Sequence, residues 1–365
     1  MDQDTSQHFD IEQEKVLDSI RPGRIILPTL IGLGVIIYLI YRQVNFEEIL
    51  TIDWRPSSYL WMIVAILVYA GRHMLYSYRL RALSEGEFSW PKSVELVTIL
   101  EFASSVSPTN FGGSAVAFFL LIQERISAAR ATSIVLYTII ADTLFFVISF
   151  PIVLILFGRI MFYPIADGGV WSGMGATLVV VWLVMAAYGL LLAYGLFVQP
   201  RQLRRLLSWM AGWRLLSRSK DRILKAAVDI EASSLRIRKM PLDFHGRLVL
   251  ATLLAWALRF FTVTAILIAL NPQMSQTLMD HVILLGRGQS LYAVTAYSPT
   301  PGGSGVAEII FGQFYQEYVS KGVAVIAAVI WRIITYYPYL ILGVIIIPNW
   351  IRKLINRRRF STEFV

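Results

Sequence analysis

The run Ser107-Pro-Thr-Asn-Phe-Gly-Gly-Ser114 returns, one residue shorter, as Ser298-Pro-Thr-Pro-Gly-Gly-Ser304. Extended to Ala117 and Ala307, the two copies agree at eight of ten aligned positions. Each copy interrupts strongly apolar sequence. Proline and paired glycines break a helix, and lipid tolerates broken backbone only where protein or water covers it. A polar, glycine-broken segment placed twice inside hydrophobic sequence is the pattern of a transporter-like site. The chain therefore reads as an internally duplicated membrane protein with its working parts in the two motifs.

The rest of the chain agrees with a bilayer setting. Of 365 residues, 56% are hydrophobic, and the mean hydropathy is +0.61. A crossing of roughly 30 Å needs about 20 apolar residues. Six stretches supply or approach that length: Ile25–Tyr41, Ser58–Tyr78, Ala131–Phe157, Val170–Val198, Leu248–Leu270 and Lys321–Ile347. Between them lie shorter arms, Ser93–Val106 and Ser114–Glu124 around the first motif, His281–Tyr297 and Gly305–Tyr315 around the second. Arms of 11 to 17 residues reach only about 16–25 Å as helix. The expected fold is an all-α polytopic membrane protein, with six transmembrane helices and two re-entrant helical hairpins in an inverted-topology repeat.

The expected organisation runs in six parts. Residues 1–24 form a cytoplasmic segment, and 25–57 the first transmembrane helix with its external loop. Residues 58–157 are the first repeat, 158–247 a connecting span with a basic cytoplasmic linker, 248–347 the inverted second repeat, and 348–365 a basic cytoplasmic tail. With residues 1–24, 79–92, 125–130, 199–246 and 348–365 counted as cytoplasmic, 24 of the 33 Lys and Arg residues fall there and four in external segments, the positive-inside pattern. The formal charge of +9 is thereby assigned to loops beside anionic headgroups, and no nucleic-acid partner is expected. The register supports duplication, since Gly112 to Asp142 and Gly302 to Arg332 are both 30 residues. Helical spacing of Ile223, Ala226, Ala227, Ile230 and Leu235 allows either a surface-lying amphipathic helix or a solvated tether.

At each tip, proline ends the incoming half-helix, the glycines permit reversal, and Ser114 and Ser304 are suited to cap the outgoing half-helix. Backbone N–H groups at such a helix start attract a phosphate. The candidate binding residues are Ser107, Thr109, Gly112, Gly113 and Ser114 in the first copy. Ser298, Thr300, Gly302, Gly303, Ser304 and Glu308 form the second set, with Arg259 from the preceding span. Arg72, Asp142 and Arg332 are intramembrane charges that need partners. Asp142 and Arg332, repeat-equivalent and opposite in sign, offer mutual compensation and are expected to approach each other or to share a polar cluster. Glu308 serves either proton coupling or the locking of its hairpin. Glu101 is either buried or at the lipid boundary.

The sequence offers little to an enzyme. It has no cysteine and four scattered histidines, which give no metal-ligand spacing. No nucleophile–base pair or Walker-type phosphate loop stands out. No cofactor and no catalytic role are expected. The polar, acidic start of the chain is unlike a signal peptide.

The stretch Ser298-Pro-Thr-Pro-Gly-Gly-Ser-Gly-Val-Ala-Glu308 resembles the signature of the lysylphosphatidylglycerol synthase transmembrane-domain family, also called flippase-like membrane proteins. Pro108–Gly113, followed by Arg125 and Asp142, is similar to that family's first segment, although Phe118 stands where many relatives carry a charge. The resemblance covers roughly residues 25–350. It implies lipid translocation without the synthase activity, which resides in a following soluble domain of two-domain relatives. A bacterial inner membrane location is expected, with both termini cytoplasmic on the charge partition. Three functions are carried forward. The first is translocation of an anionic or zwitterionic phospholipid or of a polyprenyl-phosphate-linked lipid. The second is secondary transport of a small anion. The third is a scaffold for a lipid-modifying enzyme. The partners expected are membrane lipids, a lipid-modifying enzyme under the third reading, and a second copy of the chain if it oligomerises.

Overall fold

A computed structural model describes residues 52–107, 110–158, 173–212, 224, 228, 231, 234, 236–296, 298, 300–303 and 305–362. The stretch Ile25–Tyr41, motif residues Thr109 and Ser304, and the linker positions Ile223, Ala226, Ala227, Ile230 and Leu235 lie outside these. The described residues are helical, without strands. Among the described residues, five helical stretches are long and apolar enough to cross a bilayer: Pro56–Leu83, Ala128–Phe157, Ala176–Val198, Leu242–Leu270 and Lys321–Leu354. They correspond to the last five of the six expected spans.

The order long, short, short, long occurs twice. In the first set α1 is Pro56–Leu83, α2 Trp90–Val106, α3 Asn110–Gln123 and α4 Ala128–Phe157. A span, α5 (Gly173–Ala193), then runs through a π turn into the short basic helix α6 (Pro200–Ala211). The second set is α7 (Leu242–Leu270), α8 (Leu278–Ala296), a 3-10 turn at Pro301–Gly303, α9 (Val306–Tyr315), and a last pair α10 (Lys321–Thr335) and α11 (Tyr337–Thr362). Local chemistry sets several of these ends. Ser89 and Ser320 accept the N–H of Lys92 and Val323 at the starts of α2 and α10, as capping hydroxyls do.

The last span is one apolar stretch in the sequence but two helices in the structure. Pro338 has no N–H to give the carbonyl of Ile334, so the helical ladder lapses at Tyr336, whose backbone leaves the helical region (φ −123°, ψ −58°). The Tyr69 hydroxyl donates to the Thr335 carbonyl beside the break, at 3.0 Å.

Helices α1 and α7 pack antiparallel along their lengths. Ile52 and Ala65 near the start of α1 share a core with Val263–Leu270 at the end of α7, whereas Leu80 and Leu83 share one with Leu248. The last nine residues of α7, Thr262–Leu270, are buried throughout, and seven of them are apolar, as suits a helix end enclosed on every side. Elsewhere apolar side chains face outward in rows, including Leu60, Ile63 and Leu67 on α1 and Ile341, Val344 and Ile345 on α11. Lipid, not water, accommodates rows of that extent. The chain is an integral membrane protein.

Candidate functional site

The two motif copies, far apart in sequence, line one cavity of about 370 Å³. Ser107, Gly113 and Ser114 contribute from the first copy, and Ser298, Thr300, Gly302 and Gly303 from the second. Four arginines also line it: Arg72 and Arg79 from α1, Arg259 from α7 and Arg332 from α10. Two carboxylates, Glu101 and Asp142, share the wall.

Three of the four arginines are ion-paired. Arg72 donates to Glu101 at 2.8 Å and to the hydroxyls of Tyr69 and Tyr339 at 3.3 and 3.4 Å. Arg79 holds both oxygens of Asp142, at 2.6 and 3.1 Å, and Trp256 adds an indole N–H to the same carboxylate at 3.0 Å. Arg332 donates to Glu308 at 2.7 Å and to the Gly302 carbonyl at 3.1 Å. Glu308 uses its other oxygen to accept the Gly305 N–H at 2.7 Å.

The fourth differs. Arg259 makes no ion pair among the described residues; its guanidinium lies over the rings of Tyr292 and Trp256, 5.0 and 5.4 Å from their centroids. The wall thus carries one more positive charge than Glu101, Asp142 and Glu308 balance. Two buried nitrogens of the same wall, Arg72 Nε and Arg332 Nη2, have no hydrogen-bond partner among the described residues, although both arginines are at least 96% buried (2% and 4% exposed). Buried donors of this kind are expensive unless something accepts from them. Lined by hydroxyls and by more positive than negative charge, the cavity is chemically matched to a phosphate group.

The motif backbone brings the two copies together. Gly302 adopts φ 59° and Gly303 φ 67°, the left-handed region that favours glycine. A Cβ on Gly302 would lie 2.5 Å from Tyr336 Cε2 and 2.9 Å from the Ser105 carbonyl oxygen at the end of α2. The Tyr336 hydroxyl itself reaches that carbonyl at 3.4 Å. Gly302→Ala is expected to lower stability by about 1–3 kcal/mol through strain and overlap. Gly246→Ala, whose Cβ would meet nothing within 4 Å, should be close to neutral. Thermal unfolding of both variants in one detergent tests the contrast.

Several sequence expectations need correction in detail. Asp142 and Arg332 share one polar cavity, the second of the two outcomes expected, but they do not pair: Asp142 belongs to Arg79 and Arg332 to Glu308. Arg79 had been counted with the cytoplasmic loop, because the apolar run ends at Tyr78 whereas α1 continues to Leu83. Its spacing of seven residues from Arg72, two helical turns, is the signal that places both on one face. Ser114 is the fifth residue of α3, so it does not cap that helix. In the second copy Gly305 is the N-cap of α9, with the Glu308 carboxylate closing on its N–H. Glu101 is in the cavity wall and paired, not at the lipid boundary.

Other residues were not singled out from sequence at all. Tyr76 lies under the guanidinia of Arg72 and Arg79, at 4.5 and 4.9 Å. Trp256 and Tyr292 belong to an aromatic cluster with Phe145, Phe146 and Phe260. Gly112, one of the binding candidates named from the sequence, lies in the first turn of α3. Among the described residues, no three His, Asp or Glu side chains are grouped to hold a metal.

Known proteins supply a context for this geometry. The profile of the family described as lysylphosphatidylglycerol synthase TM region matches residues 25–343. A protein from Archaeoglobus fulgidus, described as a UPF0104 membrane protein, is 23% identical over 301 residues, covering 80% of this chain and 87% of its own.

Proposed function

The chain belongs to the lysylphosphatidylglycerol synthase transmembrane-region family, and from that premise we propose that it moves a phosphate-bearing lipid across the bilayer through the cavity between its motif copies. The cargo is an anionic or zwitterionic phospholipid or a polyprenyl-phosphate-linked lipid, and the role is translocation, not catalysis. One observation carries the reading: both motif copies and four arginines converge on one cavity, and one of those arginines, Arg259, lies over aromatic rings and forms no ion pair among the described residues. A headgroup phosphate supplies the missing anion, and the rows of exposed apolar side chains leave its acyl tails in lipid.

The helix lengths support a two-gate arrangement. Helices α2, α3, α8 and α9 have 17, 14, 19 and 10 residues, about 25, 21, 28 and 15 Å at 1.5 Å per residue. In this reading α2–α3 enters from the cytoplasm and α8–α9 from outside, as re-entrant hairpins of an inverted repeat. The antiparallel packing of α1 on α7 is what such a repeat requires. The distribution of Lys and Arg supports placing both termini in the cytoplasm, and the membrane in this reading is a bacterial inner membrane.

The test is reconstitution of the full chain into vesicles of phosphatidylcholine with headgroup-labelled phosphatidylglycerol. The labelled lipid should cross faster than in protein-free vesicles. Crossing at the protein-free rate, together with uptake of free glycerol phosphate, would replace the lipid reading with small-anion transport.

A further inference from the structure

The two halves of the cavity are built alike but charged differently. Six residues before the motif serine, the first half carries Glu101 (from Ser107) and the second Tyr292 (from Ser298). Each faces an arginine of its own half's long helix. Arg72 of α1 bonds Glu101 at 2.8 Å, and Arg259 of α7 lies 5.0 Å from the Tyr292 ring centre. The contact is therefore repeated, with a carboxylate in one half and a phenol in the other.

That difference accounts for the surplus charge of the wall. The Glu101 carboxylate is committed to Arg72, and Arg259 acts on it only through space. The Tyr292 ring is held firmly, stacked on Phe146 at 5.0 Å with planes 10° apart and edge-on to Trp256 at 4.9 Å. A ring face attracts a guanidinium without neutralising it. Arg259 thus keeps its full charge for a ligand while its position is fixed.

We propose that Tyr292, standing where the first half has a carboxylate, is the residue that sets the charge selectivity of the site. With one arginine left uncompensated, the cavity prefers a phosphodiester, which carries a single negative charge, over a phosphate monoester, which carries nearer two. This rests on the lipid-phosphate reading above and narrows its cargo. Tyr292 acts through Arg259, as a positioning and selectivity residue.

The experiment titrates the detergent-solubilised full chain with dioctanoyl phosphatidylglycerol, dioctanoyl phosphatidic acid, dioctanoylglycerol and inorganic phosphate. The parent should bind phosphatidylglycerol most tightly. Tyr292→Glu places a carboxylate in the space beside Arg259 and should weaken phosphatidylglycerol by about tenfold or more, equivalent to ~1.4 kcal/mol. Tyr292→Phe keeps the ring and should bind as the parent does. Glu101→Tyr, the reciprocal change, releases Arg72 and should shift preference towards phosphatidic acid; it also decides the matter if Tyr292→Glu does not fold.

Unchanged phosphatidylglycerol affinity in Tyr292→Glu, or unchanged preference in Glu101→Tyr, overturns the role of Tyr292 and leaves the lipid reading intact. Inorganic phosphate bound as tightly as phosphatidylglycerol, and lost in Tyr292→Glu, supports the charge role and overturns the lipid cargo. A parent that binds phosphatidylglycerol no better than dioctanoylglycerol overturns both.

Discussion

Arg259→Ala is expected to slow the crossing of headgroup-labelled phosphatidylglycerol by roughly tenfold to a hundredfold, the range set by losing a charge-assisted hydrogen bond of about 1.5–3 kcal/mol. The other three cavity arginines already hold Glu101, Asp142 and Glu308, so none is free to replace it. Arg259 makes no ion pair among the described residues, so no folded-state carboxylate is orphaned by its removal. The variant should therefore insert and purify like the parent, which separates loss of transport from loss of fold. Gly303→Val is expected to lose transport too, because position 303 has φ 67° and its Cβ would lie 3.3 Å from Thr295 Cβ. Arg352→Ala, at an exposed position on α11, removes one positive charge far from the site and should leave the rate nearly intact. Vesicle assays on all three decide the point. Parent-like rates in Arg259→Ala would move the anion site elsewhere.

Glu308→Ala is expected to destabilise the chain by about 3–5 kcal/mol, the cost of leaving a buried charge without its partner. Arg332 and Glu308 are 4% and 3% exposed and bonded at 2.7 Å. The glutamate also accepts the Gly305 N–H, where the backbone turns at φ 88° into α9. One substitution thus strands a guanidinium and an amide together. Glu308→Ala with Arg332→Met should recover part of the loss, because the double variant buries no unpaired charge. Midpoints of heat-induced loss of monodisperse protein, for both singles and the double, give the coupling energy. A double variant as unstable as the sum of its singles would mean that the pair contributes independently of its ion–ion contact.

Much of this architecture is written in local sequence. Apolar runs of bilayer length identify α1, α4, α5, α7 and the α10–α11 pair, because membrane burial demands length and little else. The paired Ser-Pro-Thr and Gly-Gly-Ser segments locate the cavity wall, because backbone that leaves the helix inside lipid must be covered. Pairing is different. Asp142 meets Arg79 and not Arg332, a choice made by how α1 and α4 cross, and no spacing along the chain encodes it. The end of α1 was misjudged for a related reason: hydropathy falls at Tyr78, but the helix continues while Arg79 turns inward to a carboxylate. The break at Tyr336 was within reach of the sequence, since Tyr337-Pro338 marks a place where the α-ladder must lapse. Tyr292 was hidden by its chemistry, as an aromatic residue on an apolar helix is ordinarily core.

The break between α10 and α11 has a mechanical consequence. Tyr336 sits at the joint, with its ring against Gly302 of the second motif and its hydroxyl on the Ser105 carbonyl at the edge of the first. Any swing of α11 about this joint would be felt at both tips through one ring, so opening one gate while the other stays shut requires that tyrosine to leave one of its two contacts.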